Sequence, residues 1–373
     1  MKQTLFILLL YLIPTFLLGQ QGIQGVVLDA GSREPMSFAS VYINGTTKGT
    51  YTDDAGQFIL EDVSSSSLLV VGYLGYETQS MVIRGNSGFL TILMPRKDIL
   101  ISELLIEGKN RRPEFLKIFK EQVFGTDKYG KSVILKNDSV LIFSYPEDDE
   151  KNEGIFLKAF SVAPLIVILP HLGYQIEIDL VDFNLYGTEN NISRCDHLGH
   201  YYFTELEPES IRKKEKYKRE RKKVYYNSAM HFYRSLYNNS LKENGYLIIG
   251  YEKIDEKRIR YNHEFGTDKN IWGQLKIENM KGKRLSVYYY QEKNKPLDIT
   301  MTKKWNKKED INKKLERFIL STNFEFASSI LFFNDTCFIN PQGTIPDNNI
   351  AFIGYISRNK MGTLLPEDYD PEK

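Results

Sequence analysis

The sequence predicts a mainly β protein with two folded regions. Short apolar runs alternate with a period of two at intervals of roughly ten residues over the first quarter of the chain, which is typical of an antiparallel β-sandwich of six or seven strands. Tyr (24) and Phe (22) are abundant, and aromatic residues favour strands. Helical periodicity is confined to two later stretches, so we expect residues 126–373 to form an α+β domain with an antiparallel sheet and a few helices.

Composition and charge describe a folded, electrically balanced chain. Its 373 residues are 42% hydrophobic, which excludes a disordered chain. The chain has 49 Lys and Arg against 48 Asp and Glu. This balance predicts no nucleic-acid partner for the molecule as a whole.

Residues 1–20 are typical of a signal peptide. Lys2 supplies a positive charge, and the apolar run Leu5 to Leu18 has fourteen residues, whereas a membrane-spanning helix needs about 20. We expect cleavage before Gln20 and an exported protein, periplasmic or associated with the outer membrane. An uncleaved N-terminal anchor is the alternative. In such a compartment Cys195 and Cys337 could form a disulfide or remain two buried thiols.

Residues 21–95 contain the strands of the predicted sandwich. The strand-like runs are IQGVVLD, ASVYING, QFILEDV, SLLVVGYLGYE, QSMVIRG and GFLTILMP. Asn44-Gly45 is a tight-turn dipeptide. In the second turn, Asp53 is expected to accept hydrogen bonds from the backbone and Gly56 to adopt a left-handed conformation. The oxygen spacing around Asp53 and Asp54 does not fit an EF-hand, which favours a turn over a calcium loop.

These residues resemble a known family. Residues 22–94 follow the pattern G-x-V-x-D, P-hydrophobic-x-x-A-x-V, G-T-x-x-G-T-x-T-D-x-x-G-x-F and G-Y of the carboxypeptidase-regulatory-like domain of exported Bacteroidetes proteins. Met36 stands where Leu is usual, and Val71-Gly72 replaces a more typical Ser. The resemblance implies a prealbumin-like sandwich of about seven strands. It implies no peptidase activity, because the domain is an accessory in many proteins.

Residues 96–125 are expected to form a charged linker followed by a short helix. The linker contains one apolar strand, Leu104 to Ile106, and is similar to the segment after this domain in TonB-dependent receptors. Only 258 residues follow Phe115, so a receptor-type transmembrane barrel is not expected. Pro113 to Phe124 has helical spacing, with proline at a position that the first helical turn accepts.

The region 126–373 reads as strands around a second helical zone, from Pro208 to Asn244. Tyr225, Ala229, Phe232 and Leu236 are spaced as one buried stripe. The preceding segment, Arg212 to Lys223, holds nine basic and two acidic residues. It could bind nucleic acid, but we favour a solvated face with peripheral contact to anionic lipid headgroups. The second region also resembles uncharacterised proteins that carry the same N-terminal domain, through LGYQIEIDLVDF, YYNSAMHFYRSLYNNSLKENGYLI and MGTLLPEDYDP.

Few residues suggest chemistry. The sequence has no HExxH, GxSxG, P-loop or dinucleotide-binding pattern, and no histidine is followed by Glu three residues later. We therefore assign no catalytic residue and expect no cofactor. Cys195, His197 and His200 have the spacing of three zinc ligands, although a polar loop is the favoured interpretation. His231, Arg234 and Tyr237 lie on a predicted helix that could bind a carboxylate or phosphate, or dock on a sheet.

Three functions fit these observations. The leading hypothesis is a non-enzymatic envelope protein whose sandwich binds a protein or glycan. The second is a hydrolase with a site assembled in the second region from Cys195, His197 and His200 or His231. The third is a docking component of an outer-membrane, TonB-dependent complex.

Overall fold

A computed structural model describes residues 22–63, 66–83, 88–97, 111–144, 155–188, 191–254, 257–270, 273–289, 327–345 and 349–373. The predicted leader and the linker strand 104–106 lie outside these residues. The chain divides into two compact units. The first comprises Met1–Asn44 and Lys48–Ile99, and the second comprises Gly45–Thr47 and Leu100–Lys373.

The first unit is a sandwich of seven strands in two sheets. They are β1 (Ile23–Asp29), β2 (Ser40–Ile43), β3 (Gly49–Tyr51), β4 (Gln57–Leu60), β5 (Leu68–Gly72), β6 (Gln79–Val82) and β7 (Phe89–Met94). One sheet has the order β4-β1-β7 and the other β3-β2-β5-β6. The seven-stranded sandwich predicted for this region is confirmed.

One pairing in the first unit differs from the prediction of an antiparallel sandwich. β1 and β7 are parallel, in a register that runs from Gln24 opposite Phe89 to Asp29 opposite Met94. The other strand pairs of this unit are antiparallel. The exception arises because β6 lies in one sheet and β7 in the other. The chain therefore crosses between sheets instead of returning through a hairpin, and a crossover permits parallel pairing.

The sandwich core comes from the alternation seen in the sequence. Every second residue of β1 is buried, as expected for a strand with one face on a core. Both sheets contribute to one apolar cluster, which includes Val27, Val41, Phe58, Leu69, Val71 and Ile92. Burying this surface is the main stabilising contribution to the unit.

The turn between β3 and β4 has the predicted chemistry. The Asp53 Oδ1 accepts hydrogen bonds from the backbone N–H of Ala55 (3.0 Å) and Gln57 (2.8 Å). Gly56 has φ 71°, in the left-handed region. Thr52 immediately precedes this turn. It is buried, and its Oγ1 accepts a hydrogen bond from the Ala39 N–H at 2.8 Å.

The second unit begins with a six-stranded sheet. Its strands are β8 (Ile134–Leu135), β9 (Leu141–Ser144), β10 (Ile155–Ser161), β11 (Leu165–Leu169), β12 (Tyr174–Thr188) and β13 (Asn191–Glu205). The order is β8-β11-β12-β10-β9, and β13 pairs with β12. β12 and β13 form a hairpin of two 15-residue strands. These pairs are antiparallel, as predicted for this region.

A second antiparallel sheet follows in the same unit. It has the order β15-β14-β17-β18-β20, while β16 pairs with β19. The strands are β14 (Tyr246–Ile254), β15 (Lys257–Asn262), β16 (Leu275–Ile277), β17 (Arg284–Tyr289), β18 (Ala327–Phe332), β19 (Cys337–Ile339) and β20 (Ile350–Gly354). The predicted fold class, mainly β with antiparallel sheets and a few helices, is confirmed.

Four helices belong to the described part of the second unit. They are α1 (Arg112–Phe124), α2 (Lys128–Ser132), α3 (Ile211–Tyr225) and α4 (Ala229–Tyr237). α1 matches the predicted helix and has proline in its first turn. Among the described residues, none of the helices combines the length and the apolar character needed to cross a membrane.

The predicted second helical zone contains two helices, α3 and α4. Asn227 has φ 62°, which ends helical backbone, and Ser228 then caps α4 by accepting a hydrogen bond from the His231 N–H at 3.1 Å. The predicted stripe from Tyr225 to Leu236 is therefore divided. Tyr225 packs in the core beside the six-stranded sheet, whereas Phe232 and Leu236 pack in the core beside β14 and β17.

Candidate functional site

The second unit contains a cleft of about 390 Å³. This volume lies in the usual range of small-molecule sites, which are concave and mostly apolar. Eight of the fifteen residues that line it are aliphatic or methionine, and the other seven are polar. The residues that line it are Val123, His197, Tyr201, Val224, Ser228, Ala229, Met230, Ile356, Ser357, Asn359, Lys360, Met361, Thr363, Leu364 and Leu365.

Four parts of the chain build the walls. Val123 lies in the last turn of α1, and Val224 lies at the end of α3. The helix break and the first residues of α4 supply the segment 228–230. The fourth wall is the segment 356–365, which follows β20 and contains two short 3₁₀ turns. The cleft therefore depends on how the last eighteen residues pack.

Gly362 allows this last segment to approach α1 closely. A Cβ added at Gly362 would lie 2.5 Å from the carbonyl oxygen of Phe124 and 2.8 Å from the Cα of Gly130. Both contacts are shorter than side chains tolerate, and both partners are backbone atoms that cannot turn away. Glycine at this position therefore fixes the distance between the segment 356–365 and α1.

A polar edge faces these apolar walls. The hydroxyl of Tyr201 lies 3.2 Å from Nδ1 of His197. Burial raises the pKa of Tyr201 to about 12, so the phenol keeps its proton at neutral pH. Loss of solvent lowers the pKa of His197, and the positive charge of Lys360 lowers it further. The edge thus offers one ammonium group and neutral hydrogen-bonding groups.

The predicted zinc ligands lie on β13, and the structure does not gather them. Cys195 and His197 are two residues apart and share one face of the strand, whereas His200 pairs with Asp179 and lies on the other face. Within the described ranges, no group of three or more His, Cys, Asp or Glu side chains is placed to hold a metal ion. The loop interpretation of this segment is wrong, because these residues pair with β12 throughout.

Both cysteines are free thiols. Cys195 is half-buried, and Cys337 is buried on β19. Burial raises the pKa of Cys195 to about 11, so its thiol is almost fully protonated near pH 7. The thiolate is the reactive form of cysteine. Cys195 is therefore poorly suited to act as a nucleophile.

His231 is a buried residue of α4 enclosed by aromatic rings. It is 4% exposed, and the rings of Tyr225, Tyr226, Tyr246 and Tyr289 lie 5.0 to 5.8 Å from its imidazole. Its Nδ1 lies 3.0 Å from the Tyr246 hydroxyl and accepts a hydrogen bond from the Asn227 N–H at 3.3 Å. Burial, with a smaller effect of Arg234, lowers the pKa of His231 to about 4. The imidazole is neutral at pH 7.

Arg234 and Tyr237, the other residues predicted on this helix, also contact protein atoms. The Arg234 guanidinium donates hydrogen bonds to the carbonyl oxygens of Gln342 (2.9 Å), Glu367 (2.9 Å) and Tyr369 (2.8 Å). The Tyr237 hydroxyl donates to the carbonyl oxygen of Gly273 at 2.8 Å. Arg234 thus holds the C-terminal segment that follows the cleft wall. Arg234 and Tyr237, which were predicted to bind a ligand, both donate hydrogen bonds to carbonyl oxygens of the protein itself.

Sequence reasoning missed most of the cleft. Of its lining residues, only His197 was singled out as a site residue, and for a different chemistry. Lys360, Met361, Leu364 and Leu365 belong to no motif, and the tail MGTLLPEDYDP stands out in the sequence only through its resemblance to other proteins. This tail contains a glycine, two leucines and two prolines, and its apolar residues have neither helical nor strand periodicity. Such a pattern indicates a segment that packs without regular secondary structure.

Comparison with known proteins supports the assignment of the first unit. Residues 23–106 match the family model of the CarboxypepD_reg-like domain, so the chain carries this domain. Curated proteins give no match to the chain.

Two solved structures show a weak likeness, both of type II cohesin–X–dockerin complexes from Acetivibrio cellulolyticus with interface mutations. The C-terminal interface mutant is 21% identical, with 20% of this chain and 56% of that chain covered and a TM-score of 0.17. The N-terminal interface mutant is 23% identical, with 22% and 61% covered and a TM-score of 0.19. The match therefore spans little more than half of those chains, and these TM-scores do not establish a shared fold.

Proposed function

We propose that this chain is a non-enzymatic envelope protein whose second unit binds a small amphipathic anion in the 390 Å³ cleft. The observation that supports the proposal is the combination of aliphatic walls with a single ammonium group, Lys360, at the polar edge. Apolar walls supply most of the binding free energy, and the polar groups orient the ligand. A fatty-acid-like carboxylate or an aromatic sulfonate has the matching chemistry.

The polar groups at the edge suit binding better than catalysis. The Tyr201 phenol is protonated at neutral pH, and the half-buried Cys195 on the same strand is a protonated thiol. A protonated phenol and a neutral imidazole can donate hydrogen bonds to a bound acid group. An activated nucleophile instead requires a lowered pKa or an adjacent base.

The envelope location is supported by the leader pattern of residues 1–20. In this proposal the CarboxypepD_reg-like domain is an accessory that binds a protein or a glycan. Expression with the native N-terminus in a Gram-negative host tests the location. We expect the periplasmic or outer-membrane fraction to contain a chain whose intact mass begins at Gln20. A full-length chain in the cytoplasmic fraction would contradict it.

Binding is tested with 1-anilinonaphthalene-8-sulfonate, an aromatic anion that fluoresces in apolar surroundings. We expect saturable fluorescence enhancement by the wild type at one site. Met230→Trp places a larger side chain in the cleft and should abolish the enhancement, whereas the volume-conserving Met230→Leu should preserve it. Lys360→Gln should weaken binding about fivefold, because it removes a charge at an exposed edge.

Lys136→Gln is the matched control for the charge, because Lys136 is also exposed and does not line the cleft. Circular dichroism and thermal unfolding verify that each variant folds. Equal enhancement by the wild type and Met230→Trp would place the dye elsewhere and refute the cleft as the binding site.

A further inference from the structure

The outer face of α3 is strongly basic. Helical periodicity directs Tyr217, Arg221, Val224 and Tyr225 into the protein, where they are buried. Of the nine basic residues between positions 212 and 223, seven are exposed to solvent: Arg212, Lys214, Lys216, Lys218, Arg219, Lys222 and Lys223. We call these seven exposed residues the basic face. Its members Arg212, Lys216, Arg219 and Lys223 lie on the side of the helix opposite the buried residues.

Arg221 does not belong to the basic face. Its guanidinium donates hydrogen bonds to the carbonyl oxygens of Leu172 (2.6 Å) and Gly173 (3.1 Å) and forms an ion pair with Glu205 at 3.0 Å. Its planar group also lies 3.8 Å from the ring centroid of Tyr174. Arg221 thus anchors the helix on the hairpin, and this anchoring orients the basic face outward.

Carboxylates balance only part of the positive charge on this face. Glu215 is an exposed acidic residue of the same helix, and Glu220 lies 4.0 Å from Arg219. Glu220 turns inward, where its carboxylate accepts a hydrogen bond from the Tyr129 hydroxyl at 2.8 Å. Lys222 pairs with Glu372 at 3.4 Å. Within the part of the chain that the structure describes, five members of the basic face form no ion pair: Arg212, Lys214, Lys216, Lys218 and Lys223.

An exposed apolar side chain stands at one end of the basic face. Ile211 is the first residue of α3, directly after the capping Ser210, and it is 82% exposed. An isoleucine beside a row of lysines suits a lipid surface, where the cations contact headgroups and the apolar group enters the acyl boundary. Binding to the phosphates of a nucleic acid would require only the basic side chains and would leave Ile211 without a role.

We propose that the basic face of α3, with Ile211 at its end, docks on membranes rich in anionic lipid headgroups. The helix of fifteen residues is about 22 Å long, enough to span several headgroups. Its apolar stripe is used in the protein core, so the helix lies on the surface of the bilayer and does not insert. Each cation at such a surface contributes about a fivefold gain in affinity, and salt screens the attraction.

Vesicle co-sedimentation tests this surface. The protein would be the chain from Gly22 to Lys373, which contains every described residue and lacks the apolar leader that would itself bind lipid. We expect binding to vesicles of phosphatidylcholine with 30% phosphatidylglycerol, none to pure phosphatidylcholine, and loss of binding at high salt. The variant with Arg212, Lys216, Arg219 and Lys223 all replaced by Gln should lose binding by more than a hundredfold.

A second quadruple variant is the control for net charge. It replaces four exposed lysines outside α3 with Gln, namely Lys117, Lys131, Lys136 and Lys281, and should bind within a few-fold of the wild type. Equal loss in both quadruple variants, or no binding to anionic vesicles, would overturn the proposal.

Ile211→Gln distinguishes a membrane from a nucleic acid. It should weaken vesicle binding several-fold, while Ile353→Gln, which changes another exposed isoleucine, should not. The same proteins would be titrated with a labelled DNA duplex. Tighter binding to the duplex than to the vesicles, with no effect of Ile211→Gln on the vesicles, would identify the face as a polyanion site and overturn the membrane assignment.

Discussion

At the scale of single residues, Asp29 shows how one carboxylate stabilises the sandwich. It is 6% exposed at the end of β1. Oδ1 accepts hydrogen bonds from the N–H groups of Gly31 (2.7 Å) and Ser32 (2.9 Å), and Oδ2 accepts one from the Tyr76 hydroxyl at 2.7 Å. These bonds, first that from Ser32, hold the pKa of Asp29 far below its usual range, with a smaller contribution from Arg96.

Asp29→Asn keeps the shape and removes the charge, so it should lower the unfolding temperature of the first unit by about 5 °C at pH 7. Folding lowers the pKa of Asp29 from about 4 in the unfolded chain. The stabilisation by its charge is therefore present above about pH 4 and is lost as the pH falls toward the lower pKa of the folded state. Thermal scans from pH 7 to pH 2 should show the two proteins converging. Asp54→Asn, an exposed neighbour in another turn, is the control, and a constant gap at every pH would contradict this role.

Residue patterns predicted some of these roles and not others. Asp53 and Gly56 were read correctly because turn chemistry is local, with partners two to four residues away. Asp29 was recognised only as part of a motif, since its partner Tyr76 is 47 residues distant. Which side chains meet across that distance depends on the sheet register, and single residues do not encode it.

At the scale of elements, the second helical zone shows the limit of periodicity. The apolar spacing continues from α3 into α4, yet Asn227 breaks the helix. Asn227 is 3% exposed, and both polar atoms of its side-chain amide are buried without a partner. Asparagine tolerates the left-handed backbone that this reversal needs. The break places residues 228–230 at the cleft, so a local conformational preference creates part of the site.

Arg221 provides the test at this scale. Arg221→Lys removes the planar fork that reaches two carbonyl oxygens and Glu205, and it leaves buried acceptors unpaired. We expect a loss of about 2–3 kcal/mol in the free energy of unfolding, measured by urea denaturation. Arg219→Lys, on the exposed side of the same helix, should change it by less than about 0.5 kcal/mol. Equal effects of the two substitutions would show that Arg221 does not anchor the helix.

At the scale of the whole molecule, the sequence predicted the architecture better than the site. Alternation predicted strands such as β1 and β4, because every second residue of these two strands is buried. Strand β20 was missed, since IAFIG has no alternation of polar and apolar residues. The parallel pair of β1 and β7 was missed because pairing depends on where the chain crosses between sheets.

The cleft could not be read from the sequence because its walls come from distant parts of the chain. Val123, Tyr201, Met230 and Leu364 are contiguous only after the six-stranded sheet, α3 and the C-terminal segment have packed. Each of these side chains is an ordinary core residue by itself. The site is therefore a property of the tertiary fold of the second unit.

The most direct test of the binding proposal is hydrogen–deuterium exchange of the protein with and without dodecanoate below its micellar concentration. If the cleft binds amphipathic anions, backbone amides in segments 228–231 and 356–365 should exchange more slowly with the fatty acid present, and Met230→Trp should remove this protection. Unchanged exchange in both segments, or protection confined to other parts of the chain, would contradict the proposal.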